Sequence, residues 1–192
     1  DTDGFNATKN PRAAAFRFDA DGYRNTNVSG QLARTFRPGQ EIGARMYLSD
    51  GITRFDSTPV ANDFRTYSTL ASGSLYGQTN VVDRWKTRFT AATTMDDSTS
   101  YTSATVNSVI RTLIDQLTWQ NDVKLPVGSA LVVVDSMKQR INGTTVFPVT
   151  RRTVNGLGLG YQAGVGAHHV QVSARSDRYD QFGTKHTGYG GY

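Results

Sequence analysis

"NVSGQLARTF", residues 27–36, alternates between two kinds of side chain. One set is largely apolar and consists of Val28, Gly30, Leu32, Arg34 and Phe36. The other set is small or polar and consists of Asn27, Ser29, Gln31, Ala33 and Thr35. Because successive side chains of a β-strand point to opposite faces, this period of two predicts a strand with one apolar and one polar face.

The same alternation recurs along most of the 192 residues and predicts an all-β, antiparallel up-and-down meander. We expect a ninth strand to begin near residue 185, after eight strands over residues 23–36, 41–55, 65–77, 84–101, 107–125, 129–141, 151–163 and 168–180. Residues 104–117 also have apolar side chains at helical spacing, but we predict that they belong to a strand. Several predicted strands exceed a dozen residues, whereas strands of soluble proteins usually have about 5–6.

The connections between the predicted strands fall into two groups. The short turns are 37–40, 78–83, 126–128 and 164–167. The longer connections are 57–63 and 142–150, and we expect 102–105 to belong with them. Short turns at one end and longer loops at the other are typical of a transmembrane β-barrel, whose apolar face meets lipid and whose polar face lines the interior.

A soluble β-sandwich produces the same alternation of side chains, so the period alone does not separate the two classes. The strand lengths, the loop asymmetry and three aromatic residues favour the membrane: Phe36, Trp85 and Trp119. We therefore expect one continuous lipid-facing surface made of Val28, Leu32, Ile42, Met46, Trp85, Phe89, Leu157, Leu159, Val170 and Val172. Eight strands can close on themselves to form a small complete barrel. The alternative function is therefore that of a passive porin or of a small structural or adhesive barrel.

The composition excludes several other classes of protein. The chain has no cysteine, which excludes a disulfide framework and a thiolate metal site. Its net charge is +5, but the Lys and Arg residues are scattered without a run of three, so we predict no nucleic-acid partner. The sequence contains no Gly-rich phosphate loop, G-x-S-x-G or H-E-x-x-H motif. We therefore predict that the protein is not an enzyme.

Three stretches resemble the TonB-dependent outer-membrane receptors, and most of all their vitamin B12 (cobalamin) receptor branch. They are residues 21–57, residues 112–123 and residues 170–192, the last with the pattern R-x-D-x-x-x-x-F-G-x-x-x-T-G. The resemblance implies a bacterial outer-membrane protein that imports a corrinoid or similar nutrient and contacts lipid. It also implies that TonB acts through a plug domain, which is missing from this sequence.

The same resemblance implies a domain organisation for the chain. Residues 1–192 would be a single segment of a larger barrel and supply about eight of its strands. Residues 1–22 would be an extracellular loop, and residues 23–192 would be barrel strands.

"DADG", residues 19–22, has two interpretations. Asp and Gly are common turn residues, and the stretch lacks the further ligands of an EF-hand calcium loop. The resemblance instead implies a calcium site on the extracellular loops, formed by Asp19, Asp21, Asp56 and Asp63, with Asn6 where the family has another acidic ligand. Calcium takes 6–8 oxygen ligands, which carboxylates on neighbouring loops can supply.

Overall fold

The computed structural model of the protein describes residues 2–5, 21–58 and 62–192. They form one ten-stranded sheet in which every strand pairs antiparallel with its neighbour in the chain. The strands are β1 (Thr2–Phe5), β2 (Asp21–Arg37), β3 (Gln40–Phe55), β4 (Phe64–Val82), β5 (Trp85–Thr102), β6 (Thr105–Lys124), β7 (Ser129–Gly143), β8 (Arg151–Val165), β9 (His168–Tyr179) and β10 (Gly183–Gly191). The part of the chain that the structure describes contains no helix long and apolar enough to cross a membrane.

The nine long strands, β2 to β10, confirm the predicted all-β meander. Residues 104–117, the stretch with helical spacing, lie almost entirely within β6, as predicted. The predicted loop over residues 1–22 is interrupted, because Thr2–Phe5 pairs with β2 and β2 already begins at Asp21. Backbone pairing with an exposed strand edge satisfies N–H and C=O groups that a loop would leave to water.

The connections lie at two ends of the sheet. The turn end carries the connections 38–39, 83–84, 125–128 and 166–167. The loop end carries the connections 56–63, 103–104, 144–150 and 180–182. Three turns of the turn end contain a glycine with positive φ, at Gly39, Gly128 and Gly166. A side chain on Gly128 would also lie 2.2 Å from the carbonyl oxygen of Gln162, so only glycine fits this turn.

The prediction that residues 102–105 form one of the longer connections is wrong. Ser103 adopts φ 54° in a two-residue turn, a conformation that is uncommon outside glycine. Ser103 is fastened to the neighbouring loop, because its N–H donates to the Asp63 carbonyl at 2.7 Å and its hydroxyl accepts from the Asp63 N–H at 3.2 Å. The polar sequence suggested a longer loop, but these hydrogen bonds hold the connection in a two-residue turn.

The strand register separates the side chains into an apolar face and a polar face. Directly opposed residues on the apolar face include the pairs Val28–Leu48, Ile42–Gly77, Gly77–Phe89, Phe89–Trp119, Trp119–Val134, Val134–Leu157 and Tyr161–Val172. The ten residues predicted to form one continuous surface all lie on this face, which confirms that they share a face. Its contact with lipid stays a prediction.

The apolar face is not covered by any other part of the described chain. Leu32 is 78% exposed and Leu75 is 66% exposed. Among the described residues, Val154 is the only buried hydrophobic residue. A soluble sheet stabilises itself by burying its apolar face against a second layer. This sheet leaves its apolar face exposed, so that face needs an apolar medium or partner.

Candidate functional site

Three of the five predicted metal ligands lie at the loop end of the sheet. Asp21 begins β2, Asp56 directly follows β3, and Asp63 directly precedes β4. Because β2 and β3 form an antiparallel hairpin, the start of β2 and the end of β3 lie side by side. Asp19 and Asn6 lie outside the described residues.

Asp56 and Asp63 have different surroundings. The Asp63 carboxylate accepts a hydrogen bond from Arg65 at 2.6 Å, so its charge is already balanced. Asp56 Oδ2 is buried and has no hydrogen-bond partner among the described residues. Phe55 and Phe64, whose ring centroids are 6.0 Å apart, close the base of the loop that carries both carboxylates. An unpartnered buried carboxylate oxygen is costly unless a donor or a cation reaches it.

Over residues 2–5, 21–58 and 62–192, the structure brings together no group of three or more His, Cys, Asp or Glu residues that could hold a metal ion. The three described ligands, Asp21, Asp56 and Asp63, therefore share one end of the sheet, and Asp56 supplies one buried oxygen without a partner among the described residues. The shared calcium ion stays a prediction.

Two arginines sandwich a tyrosine on the polar face near the turn end. The guanidinium carbons of Arg88 and Arg45 lie 4.1 Å and 5.2 Å from the ring centroid of Tyr76. The Tyr76 hydroxyl donates to Glu41 Oε1 at 2.8 Å. Stacking of guanidinium groups on an aromatic face stabilises the cations, and it orders three side chains on a face that would otherwise be solvated.

A second charged network joins β7 and β9 across β8. Arg175 contacts Asp135 at 2.9 Å and Asp177 at 2.7 Å. Asp135 is only 9% exposed, so its charge depends on this partner. Gly156 of β8 lies directly beneath the Arg175 guanidinium, and a Cβ at Gly156 would be 2.3 Å from Arg175 Nη2. The glycine leaves the space through which Arg175 reaches across the strand.

The residues of this network were not singled out from the sequence as a site. Arg175 and Asp177 were visible only as the R-x-D part of the family-like pattern in residues 170–192. Asp135 precedes Arg175 by forty residues and carries no local signal. A recess of about 540 Å³ adjoins Arg175 on the polar face and is also lined by Leu131, Val133, Gly158, Gly160 and Tyr189.

Comparison with known proteins gives a relative of stated function. No protein-family model matches the chain. The chain is 25% identical over 188 residues to the vitamin B12 transporter BtuB of Photobacterium profundum. The similarity covers 96% of this chain but only 30% of that transporter. The chain thus spans less than a third of the length of the curated relative that it matches, and that relative is a transporter rather than an enzyme.

Proposed function

We propose that this chain forms part of the barrel wall of a TonB-dependent outer-membrane receptor that imports vitamin B12 or a related corrinoid. The similarity to a vitamin B12 transporter over 188 residues carries the proposal. The exposed apolar face supports it independently, because a sheet that spans a membrane presents its apolar side chains to lipid and its polar ones to the interior. TonB would act through the plug domain of the receptor.

The strand lengths support the same proposal. About 9–11 residues are enough for a tilted strand to cross the hydrocarbon layer. β4 and β6 have 19 and 20 residues, so they extend beyond such a layer. Since the longer connections are at the loop end, we assign this excess to the extracellular side, where it would carry the substrate-binding loops.

The test of the proposed function is binding of cyanocobalamin to the full-length protein in detergent, followed by uptake in cells with and without TonB. We expect saturable cyanocobalamin binding and uptake that stops when TonB is deleted. Planar-bilayer conductance separates the alternative, because a passive porin gives a steady open channel without an energy source. Steady conductance together with TonB-independent uptake would contradict the proposal and favour a porin.

We also propose that calcium binds at the loop end and orders the connection 56–63. The buried Asp56 Oδ2, which has no partner among the described residues, supports this, since a carboxylate oxygen of that kind suits a hard cation. Asp21 stands beside it in the β2–β3 hairpin, and Asp19 and Asn6 belong to the proposed set. Asp63 is the weaker member, because Arg65 already occupies its carboxylate.

The calcium proposal predicts unequal effects of two variants of the full-length protein. We expect Asp21→Ala combined with Asp56→Ala to weaken calcium binding by at least about tenfold, since calcium affinity depends on ligand charge count. Asp63→Ala is expected to weaken it less. Calorimetric titration with calcium measures both effects, and equal affinity in the double variant and the unaltered protein would show that "DADG" is an ordinary turn.

A further inference from the structure

The apolar face changes character toward the loop end of the sheet. From about ten residues above the turn end, charged side chains appear on this face among apolar ones such as Ile52, Tyr67 and Leu113. The described strands carry eight basic side chains there: Arg24, Arg54, Arg65, Arg111, Lys138, Arg140, Arg151 and Arg178. They carry three carboxylates: Asp50, Asp97 and Asp115. We call this region the basic belt.

The height of the basic belt matches the edge of a bilayer. A strand rises about 3.3 Å per residue, and barrel strands tilt by roughly 40°, so ten residues climb about 25 Å. The apolar band of outer-membrane barrels is also about 25 Å tall. On β3 the unbroken run of apolar side chains on this face ends at Leu48, and Asp50 is the first charged one, followed by Ile52 and Arg54. The belt therefore begins where hydrocarbon ends and lipid headgroups begin.

The belt is densest where β6, β7 and β8 meet. Arg140 and Arg151 are directly opposed in the register, and Lys138 lies two residues from Arg140 on the same face. Asp115 accepts a hydrogen bond from Arg140 at 2.6 Å and another from Thr93 at 3.0 Å. Among the described residues, the side chains of Lys138 and Arg151 have no ion pair, and both residues are exposed. This part of the belt thus contains one carboxylate, that of Asp115, and three cations, those of Lys138, Arg140 and Arg151.

A second pair of opposed arginines lies on the same face, on β3 and β4. Arg54 is directly opposite Arg65, and Arg65 is bound by Asp63 at 2.6 Å. Like charges directly opposite each other on one face of a sheet are destabilising. Two such pairs on one face, each with one arginine balanced by an aspartate, leave uncompensated positive charge that an anion would neutralise.

We propose that the patch of Lys138, Arg140 and Arg151 binds the phosphorylated headgroup of an outer-leaflet lipid. The inference rests on the proposed outer-membrane location. The positive charge of the patch suits a phosphate group. Because the patch adjoins the apolar band, a lipid whose phosphate binds there can lay its acyl chains along that band. The guanidinium group of an arginine binds phosphate oxygens through two parallel hydrogen bonds, and the lysine ammonium adds a third donor group.

Native mass spectrometry of the full-length protein with lipid A carrying both phosphates tests the proposal. We expect the triple variant Lys138→Gln, Arg140→Gln, Arg151→Gln to lose about fivefold in lipid affinity for each charge removed, or roughly a hundredfold in all. The matched control is Lys86→Gln, Lys124→Gln, Lys185→Gln, which removes the same charge from the polar face. We expect the control to bind lipid A as the unaltered protein does.

Two further arms identify the ligand and separate this inference from the proposed function. Dephosphorylated lipid A is expected to bind poorly to the unaltered protein, and excess inorganic phosphate is expected not to displace the intact lipid. Displacement by inorganic phosphate, or equal lipid loss in the triple variant and its control, would overturn the proposal. Cyanocobalamin uptake is measured in the same variants: normal uptake with unchanged lipid binding refutes only the headgroup site, whereas absent uptake in the unaltered protein refutes the proposed function.

Discussion

Ala91→Arg is expected to cost about 2–4 kcal/mol of folding free energy in a bilayer, whereas Ala92→Arg is expected to cost less than about 1 kcal/mol. Ala91 lies on the apolar face, directly between Leu75 and Leu117 of the neighbouring strands. Ala92 lies on the polar face, directly between Ser74 and Gln116. In the proposed barrel, a charge beside the leucines would meet hydrocarbon, and one beside serine and glutamine would meet the interior.

These two variants make an unusually close comparison, because they exchange the same residue types at adjacent positions of β5. Gly43→Arg would be a poorer interior control, since a Cβ at Gly43 would lie 2.5 Å from the Tyr76 ring. Urea unfolding of the full-length protein in lipid vesicles gives the free energies, and the heat-induced shift in gel mobility gives the assembled fraction. Equal losses for Ala91→Arg and Ala92→Arg would contradict the assignment of the two faces.

The strands and their two faces could be predicted because both follow from local chemistry. The alternation of apolar and polar side chains in residues 27–36 depends only on the direction of successive Cβ atoms. The same two sets of side chains lie on the two faces of β2. The up-and-down order then follows from the short turns, where Gly39 and Gly128 allow tight reversals. Once each hairpin is closed, the apolar residues of neighbouring strands must meet on one side.

The candidate sites were less predictable, because they depend on contacts between distant residues. The tight turn at Ser103 is held by hydrogen bonds to Asp63, which is forty residues earlier in the chain. The sandwich of Tyr76 between Arg45 and Arg88 uses three different strands. For the calcium ligands, the sequence placed Asp21, Asp56 and Asp63 at one end of the sheet. It could not show that Arg65 would engage Asp63, or that Asp56 Oδ2 would be buried without a partner among the described residues.

Arg175→Met is expected to destabilise the protein by about 3 kcal/mol, because it removes the cation shared by two carboxylates. Asp135 would then keep a charge in a position that is 9% exposed, beside Asp177, whose side chain is 16% exposed. Lys185→Met is the control, since Lys185 is opposed to Asp177 in the register but has no ion pair within the described residues. We expect it to cost less than about 1 kcal/mol, as for exposed charges.

Gly156→Ala tests the same network without changing a charge. The added Cβ would lie 2.3 Å from Arg175 Nη2, the atom that contacts Asp135 at 3.0 Å and Asp177 at 2.7 Å, so the guanidinium must shift and these two contacts are expected to weaken. Gly158→Ala places its Cβ no closer than 3.8 Å to any neighbour and is the matched control. If the network stabilises this part of the sheet, urea unfolding should show a larger loss for Gly156→Ala than for Gly158→Ala. Adding Asp135→Asn and Asp177→Asn to Arg175→Met should recover stability, because no unpaired charge then remains. Failure of that rescue, with equal effects at the two glycines, would mean that Arg175 contributes only packing.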